Sequence, residues 1–276
     1  MACLDLQIER LMKFKRYDPN RLQISHPVKL EHWEGIHKGR YYVSDDLPNV
    51  DPGIVLPSVT TIASATAPIG KTMALKKWRE RVGNAEANRR TRNAVERGNW
   101  LHGVLEDQFN GEDIEIHFDQ FPQYTPYYDS IQGFLERIDE PQLVESAIAW
   151  FCPSRQIGYA GTFDMLATMK DGGYALLDWK TSYKKKPDSQ LADYRMQLGA
   201  YAQAIEQMYD IEIDEAHCAI AIYDPDTKKG QEAQIVSLDG PDLIVQGGIM
   251  AQKTEKYFFD YYPGTEPFSI TMDKGS

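Results

Sequence analysis

The residues that decide the fold are 159–182, which read YAGTFDMLATMKDGGYALLDWKTS. Two runs of mostly apolar and aromatic residues flank Lys170-Asp171-Gly172-Gly173, a sequence typical of a tight turn between antiparallel strands. A three-residue loop, with its glycine in the left-handed region, would place Asp164 directly across from Asp178. A two-residue loop would instead pair Asp164 with Trp179 and put the aspartates on opposite faces. We favour the three-residue loop, which predicts a β-hairpin with two facing carboxylates.

Lys180 adds a cation to this pair. It lies two residues after Asp178, so both side chains project from the same face of the strand. Two facing carboxylates repel each other unless a cation or a shared proton relieves the repulsion. A hard divalent cation such as Mg²⁺, held by carboxylates and phosphate oxygens, is the usual solution, and a lysine beside it can orient a water or neutralise a phosphate. An exposed Asp–Lys pair is the ordinary alternative, but the apolar neighbours Leu176, Leu177 and Trp179 favour a functional pair.

Two further pairs of side chains are four residues apart, the spacing of one helix face. His102 and Glu106 are an imidazole and a carboxylate that can address a metal together. Imidazole favours Mn²⁺ or Zn²⁺ over Mg²⁺, although such a pair is more often a solvated surface contact. Gln197 and Tyr201 lie in a segment with apolar residues at helical spacing. Tyr201 suits a core position equally well, whereas the amide of Gln197 is suited to holding a lysine or a phosphate.

The chain around these residues predicts one domain with a mixed β-sheet flanked by helices, of the α/β or α+β class. Helices are expected near 58–65, 72–82, 84–109 and 128–138, with an interruption at Gly98 left open. Strands follow near 143–151, 160–169 and 174–180, then a helix over 191–208, strands near 216–223 and 234–237, and a helix near 244–257. We expect an extension with short strands over 1–55, a domain over 56–265 and a tail over 266–276.

Charge is distributed unevenly along the 276 residues. The chain has a net charge of −11, yet residues 71–97 hold nine basic and three acidic residues. A single basic block in an acidic protein favours a localised track for a polyanion over general coating of nucleic acid. No apolar run approaches the ~18 residues of a membrane span. The first 20 residues contain acidic side chains and have no apolar core, so the chain predicts neither a leader peptide nor a membrane protein but a cytoplasmic one.

Four segments, taken in order, resemble the PD-(D/E)XK nuclease superfamily, in particular its RecB-like branch. They are residues 97–102 with Glu106, then 159–164, 177–182 and 194–201. Within that branch the sequence is most similar to the mitochondrial genome maintenance exonuclease group and its bacterial and phage relatives. The resemblance covers about residues 56–223. Its most specific part is the Asp–Trp–Lys–Thr–Ser core followed by the Gln–Tyr helix.

The resemblance implies a restriction-endonuclease-like core that uses Mg²⁺ or Mn²⁺ to hydrolyse DNA from free ends, with single-stranded or end-frayed DNA as its partner. Asp164 and Asp178 would be metal ligands, and His102 the third. Lys180 would be the catalytic lysine. The supporting catalytic residues would be Gln197, Tyr201 and Glu106. We further expect a bacterial or phage-encoded protein rather than an organellar one.

The resemblance also gives the basic block a role. Its helices would arch over the site, so that a single strand threads through from a free end. The candidate DNA-binding residues are Lys76, Lys77, Trp78, Arg89, Arg90, Arg92 and Arg97. Cations would attract the phosphates, and Trp78 would stack on a base. A solvated helix face without a partner is the ordinary alternative.

Some RecB-like nucleases carry an iron–sulfur cluster on four cysteines. This chain has three, Cys3, Cys152 and Cys218, and they are far apart, so no cluster is expected. Three rival functions remain open at this point. An endonuclease on the same core would cut a closed substrate, a non-catalytic recombination component would only bind DNA, and a carboxylate-pair glycosidase would need no metal.

Overall fold

The computed structural model of the protein describes residues 39–43 and 54–261. Most of the predicted extension (1–55) and all of the predicted tail (266–276) lie outside these residues, so the domain limits at 55 and 265 stay predictions. One of the short strands expected in the extension is present as β1 (Tyr41–Val43), which pairs with β2 (Val55–Pro57) in an antiparallel ribbon. Among the described helices, none is long and apolar enough to cross a membrane.

A five-stranded sheet forms the centre of the fold, in the order β3-β4-β5-β6-β7. Its strands are β3 (Ile138–Cys152), β4 (Ile157–Met169), β5 (Tyr174–Ser182), β6 (Glu215–Asp224) and β7 (Lys229–Asp239). β5 and β6 are parallel, and the other three neighbouring pairs are antiparallel. A parallel pair needs a crossover connection, here the helix α6 (Ala192–Tyr209). The predicted mixed sheet is therefore confirmed.

The hairpin of β4 and β5 has the register that the three-residue loop predicts. Met165 pairs with Leu177 and Thr168 with Tyr174, and the same register places Asp164 opposite Asp178. The amide of Met169 donates to the carbonyl of Gly173, which closes the loop over residues 170–172. Gly172 has a φ of 97°, a value that side chains rarely tolerate, so the glycine is what permits this loop length.

Two layers of helices cover the sheet and fix which way the charged residues of β5 point. Helices α6 and α7 (Gly240–Tyr261) lie on one face, where Leu176 is buried. Helices α3 (Asn84–Phe109) and α5 (Thr125–Leu135) lie on the other, where Leu177 and Trp179 are buried. Because side chains alternate along a strand, Asp178 and Lys180 project on the face covered by α6.

Ser58 holds the start of the first helix beside the sheet face that carries Asp178 and Lys180. Helix α1 (Val59–Ala65) follows β2 and begins at Ser58, whose Oγ accepts a hydrogen bond from the amide of Thr61 at 3.0 Å. Ser58 also forms a parallel bridge with Ala160 of β4. The cap and the bridge together place the N-terminus of α1 against the strand that carries Asp164.

The two basic helices form a hairpin. Helix α2 (Ile69–Val82) begins three residues before the predicted start, and α3 follows it after Gly83, whose φ of 83° again suits glycine. Helix α3 continues through Gly98 without a break, which settles the question left open by the sequence. Every residue of α2 is at least partly exposed, so this helix contributes little to the core.

Sequence patterns misplaced two elements in the connection to the sheet. The predicted helix over 128–138 is α5, which begins at Thr125, because Pro126 is well suited to a first helical turn. Ile138 is the first residue of β3, which starts five residues before the predicted strand. A short helix α4 (Glu115–Gln120) was not predicted; its six residues are too few for a periodic pattern.

Candidate active site

The carboxylate of Asp164 accepts a hydrogen bond in place of a backbone carbonyl where the pairing of β4 with β5 ends. The last backbone pair is Met165 with Leu177, and beyond it the amide of Trp179 donates to Asp164 Oδ2 at 2.5 Å. Asp164 is buried, and burial alone would raise its pKa, but His102 and Lys180 hold the pKa below its usual value. Asp164 is therefore an ionised carboxylate at the end of the hairpin.

Asp178 and Lys180 form an ion pair beside it. Asp178 Oδ2 lies 2.5 Å from Lys180 Nζ, and the Asp178 side chain is 2% exposed. Burial and the nearby charge of Asp164 raise the pKa of Asp178. Burial lowers the pKa of Lys180, but Asp178 and Asp164 outweigh it and hold that pKa well above its usual value. The lysine is thus a fixed cation between two aspartates.

His102 reaches the same place from α3. Its Nε2 lies 2.9 Å from the carbonyl oxygen of Trp179, to which the Nε2–H donates. Its Nδ1 lies 3.2 Å from Glu145 Oε1 and 3.3 Å from Asp164 Oδ1. Burial lowers the pKa of His102, but the effect of Asp164 and Glu145 is larger and raises that pKa to about 10. Because the backbone engages Nε2, Nδ1 is the nitrogen available to a metal ion.

Glu145 was missed by sequence reasoning. It lies in β3 between the pairs Val144–Met165 and Ser146–Phe163, opposite Asp164, and its φ of 43° is rare for a residue with a side chain. This local break in the strand aims the carboxylate at His102. The sequence carries no signal for it, because strand alternation assumes a regular backbone and a left-handed glutamate violates that assumption.

Gln197 and Tyr201 cover the pair from α6. Gln197 Nε2 donates to the hydroxyl of Tyr201 at 3.1 Å, and burial raises the pKa of Tyr201 far above its usual value. A Cβ at Gly161 would lie 2.8 Å from the ring of Tyr201, so only glycine allows this approach. Tyr201 is buried among core residues, which fits the core position that its helical spacing also allows. Gln197 is partly exposed to the cavity.

These side chains line one cavity of about 790 Å³. Its lining includes His102, Glu106, Glu145, Asp164, Lys180, Gln197 and Tyr201, together with Thr60 and Ser64 of α1. Burial, followed by the charge of Glu145, raises the pKa of Glu106, which lies at the acidic wall of the cavity. The structure therefore brings together all the predicted catalytic residues; Asp178 does not line the cavity itself but contacts Lys180, which does.

The predicted DNA-binding residues fall into two groups. Lys76, Lys77, Arg89, Arg90 and Arg92 are exposed on α2 and α3, and Trp78 is partly exposed. Arg97 differs, because it is 5% exposed and its guanidinium lies 4.9 Å from the ring of Tyr127 and 4.5 Å from that of Tyr183. Its Nε donates to Thr181 Oγ1 at 2.9 Å. Arg97 therefore anchors α3 to the end of β5, and we leave it out of the DNA-binding surface.

A divalent cation fits this donor set. The buried Asp178 carboxylate pairs with Lys180 through Oδ2, and its Oδ1 accepts no hydrogen bond from the residues that the structure describes. Buried polar atoms are normally satisfied, so Oδ1 is an oxygen that a cation can engage. One ligand atom each from His102, Glu145 and Asp164 lie within 4.8 Å of one another. Carboxylates suit Mg²⁺ and Mn²⁺, and the imidazole shifts the preference towards Mn²⁺.

A mixed sheet with an acidic pair, a lysine and a Gln–Tyr helix at one end defines an α/β protein with a nuclease-type site. Residues 75–256 match the PD-(D/E)XK nuclease superfamily. The match covers more than half of the chain, which therefore belongs to this superfamily.

Curated relatives carry the name of an exonuclease. The mouse protein called mitochondrial genome maintenance exonuclease 1 is 31% identical over 155 residues, which cover 54% of this chain and 44% of that protein. Its human counterpart is 27% identical over 175 residues, with 58% and 49% covered. The matches thus span about half or less of the relatives' length. These relatives are mitochondrial by name and do not support the expectation of a bacterial or phage origin.

Proposed function

We propose that the protein is a metal-dependent DNA exonuclease that hydrolyses phosphodiester bonds from the free ends of single strands, with Mg²⁺ or Mn²⁺. The observation that carries this proposal is the convergence of the buried Asp164 and Asp178 with the partly buried Lys180 at the end of one hairpin. Buried charges of this kind are costly to maintain, and they persist where a reaction uses them. The exonuclease names of the relatives support the choice of reaction.

Four residues would hold the cation: Asp164, Asp178, His102 and Glu145. A bound divalent cation polarises the scissile phosphate and lowers the pKa of a bound water. Glu145 is an addition to the three ligands expected from the sequence, and it is proposed because its carboxylate faces the same Nδ1 of His102 as Asp164 does.

Lys180 would act on the phosphate rather than as a proton acceptor. Its raised pKa keeps the ammonium group charged, so it neutralises negative charge that develops on the phosphate and orients the attacking water. Gln197 and Tyr201, which are hydrogen-bonded to each other, would form the cavity wall beside Lys180 and keep its side chain in position. The partly exposed amide of Gln197 can also donate to a phosphate oxygen. Glu106 would add negative charge at the far wall of the cavity.

The exposed cations of α2 and α3 would guide the strand to this cavity. Lys76, Lys77, Arg89, Arg90 and Arg92 lie on the helical hairpin directly before His102 in the chain. Trp78 lies among them and offers a ring on which a base can stack. An acidic protein repels DNA elsewhere, so attraction confined to this hairpin would direct the strand. Arching of the hairpin over the cavity would make the strand enter by a free end.

The test is digestion of end-labelled linear single-stranded DNA, with and without Mg²⁺ or Mn²⁺, beside the same sequence as a closed circle. We expect rapid, metal-dependent loss of the linear strand, resistance of the circle, and a slower reaction on duplex DNA. Equal cleavage of circle and line would favour an endonuclease on the same core. Binding without cleavage in either metal would favour a non-catalytic DNA-binding component, and both outcomes contradict the proposal.

A further inference from the structure

A second compartment, of about 510 Å³, adjoins the active-site cavity on the other side of Lys180 and Gln197. Helices α1, α2 and α6 form its walls. Both cavities are lined by Thr60, Ser64, Lys180 and Gln197, so they meet at the catalytic lysine. A strand whose phosphate lies at Lys180 would therefore place a neighbouring nucleotide at the mouth of this second compartment.

The walls of the two cavities differ in chemistry. The first contains the carboxylates of Glu106, Glu145 and Asp164. The second is lined by Val59, Ala63, Leu75 and Met196 with the ring of Tyr194, and its charged residues Lys71 and Asp193 form an ion pair with each other. Leu75 is 57% exposed on α2, so its aliphatic side chain faces an open space rather than a core. Such walls attract apolar surface and offer little to a phosphate, which would lose its hydration there.

A nucleobase matches these walls better than any other part of a DNA strand. Its faces are apolar, and its polar edges would find the hydroxyls of Thr60 and Ser64 and the amide of Gln197. Lys186 Nζ lies 5.9 Å from the ring of Tyr194 and Lys180 Nζ 6.0 Å from it, so positive charge is available for the flanking phosphates. The volume also lies within the ~300–1,000 Å³ typical of small-ligand sites.

We propose that this compartment receives the unpaired bases that neighbour the scissile phosphate. The inference rests on the proposed function and deepens it, because it gives a physical reason for the preference for single strands. A paired base has a partner on its hydrogen-bonding edge and cannot enter a compartment bounded by three helices. Stacking on apolar walls is tolerant of sequence, so we expect the enzyme to accept all four bases.

The experiment compares two strands that differ only in their bases. One is an oligothymidine, and the other has the same length and charge but contains abasic residues throughout. Affinities are measured by fluorescence anisotropy with the full chain carrying Asp178→Asn, which prevents cleavage. We expect this protein to bind the oligothymidine more tightly, and Leu75→Ser to weaken oligothymidine binding roughly 5–10-fold while leaving the abasic strand unaffected. Ala63→Phe, which fills the compartment, should act in the same way.

Ile69→Ser is the matched control, because Ile69 is a 79% exposed aliphatic residue of the same helix that does not line the compartment. It should leave both affinities unchanged. Equal binding of the two strands by the parent protein, or equal effects of Leu75→Ser on both, would overturn the base-binding role while leaving the proposed nuclease intact. Failure of the parent protein to bind either strand would instead contradict the proposed function itself.

Discussion

The two halves of α3 use positive charge in opposite ways. Residues 84–96 are almost wholly exposed and carry Arg89, Arg90 and Arg92, of which the first two share Glu86 at 2.7 Å. Residues 97–109 pack on the sheet, bury Arg97 and deliver His102 to the aspartates. In the first half, charge acts through solvent and is screened by salt. In the second half, burial makes each charge depend on one or two fixed partners.

This difference shows that residue type alone does not tell whether a basic side chain binds DNA. Arg92 and Arg97 are five residues apart in one basic block, yet one faces solvent and the other lies between two tyrosine rings. Replacing a charged side chain in the exposed half is expected to change the affinity for DNA and the salt dependence of that affinity. Replacing one in the buried half, or in the cluster that it contacts, is expected to change catalysis or stability.

The largest effect is expected from the buried cluster. Asp178→Ala removes a proposed metal ligand and leaves Lys180 without its ion-pair partner, so cleavage should fall about 10³-fold or more. The measurement is the single-turnover rate at saturating Mg²⁺. Asp171→Ala is the control, because Asp171 is an exposed aspartate in the turn at the opposite end of β5. Full activity of the Asp178 variant would overturn the site assignment.

Lys180→Met should separate catalysis from binding. The variant keeps the apolar stem but loses the charge on the developing phosphate, so the rate should fall roughly 10²–10³-fold. Affinity for single-stranded DNA should stay within a factor of about two, because the exposed cations supply most of the attraction. A parallel loss of affinity, measured by anisotropy, would make Lys180 a phosphate anchor instead.

The sequence predicted most of the fold because its patterns are local. Turn residues at 170–173 set the hairpin register, and spacings of three and four revealed α6. It also predicted the cluster of Asp164, Asp178, Lys180 and His102, partly from spacing and partly from a family resemblance. Glu145 and the burial of Arg97 could not be predicted, because one depends on an irregular backbone and the other on rings brought from α5 and the end of β5.

Charge reversal at Arg89, Arg90 and Arg92 tests the exposed half of α3. The triple variant to glutamate should weaken binding of single-stranded DNA roughly 10–100-fold at moderate salt, because each cation accompanies a phosphate. The slope of log affinity against log salt should become shallower by about 2, since each lost phosphate contact removes ~0.7 on a single strand. Thermal stability and metal affinity should not change. An unchanged slope of log affinity against log salt would show that the arginines of α3 form an ordinary solvated surface and do not bind DNA.

Glu145→Gln tests the ligand that the sequence did not reveal. Removing its charge should weaken Mn²⁺ binding about tenfold, by analogy with the losses seen when residues supporting a metal site are replaced. Calorimetric titration of Mn²⁺ into the DNA-free protein measures this without relying on activity. Glu140→Gln, at an exposed position of the same strand, is the control. Equal Mn²⁺ affinity in both variants would show that Glu145 only accompanies His102.

The smallest effect, and the sharpest test of the comparison, is expected from Arg97. Lysine keeps the positive charge but cannot lie flat between Tyr127 and Tyr183 while donating to Thr181, so Arg97→Lys should lower the free energy of unfolding by about 1–3 kcal/mol. Arg92→Lys, in the exposed half of the same helix, should leave stability within about 0.5 kcal/mol of the parent protein. Both variants keep their charge, so the slope of DNA affinity against salt should not change in either. Denaturant unfolding and anisotropy measure the two quantities separately. If Arg97→Lys unfolds like the parent protein but binds DNA more weakly, Arg97 belongs to the DNA-binding surface, and the boundary between the two halves of α3 lies closer to His102 than the burial of Arg97 indicates.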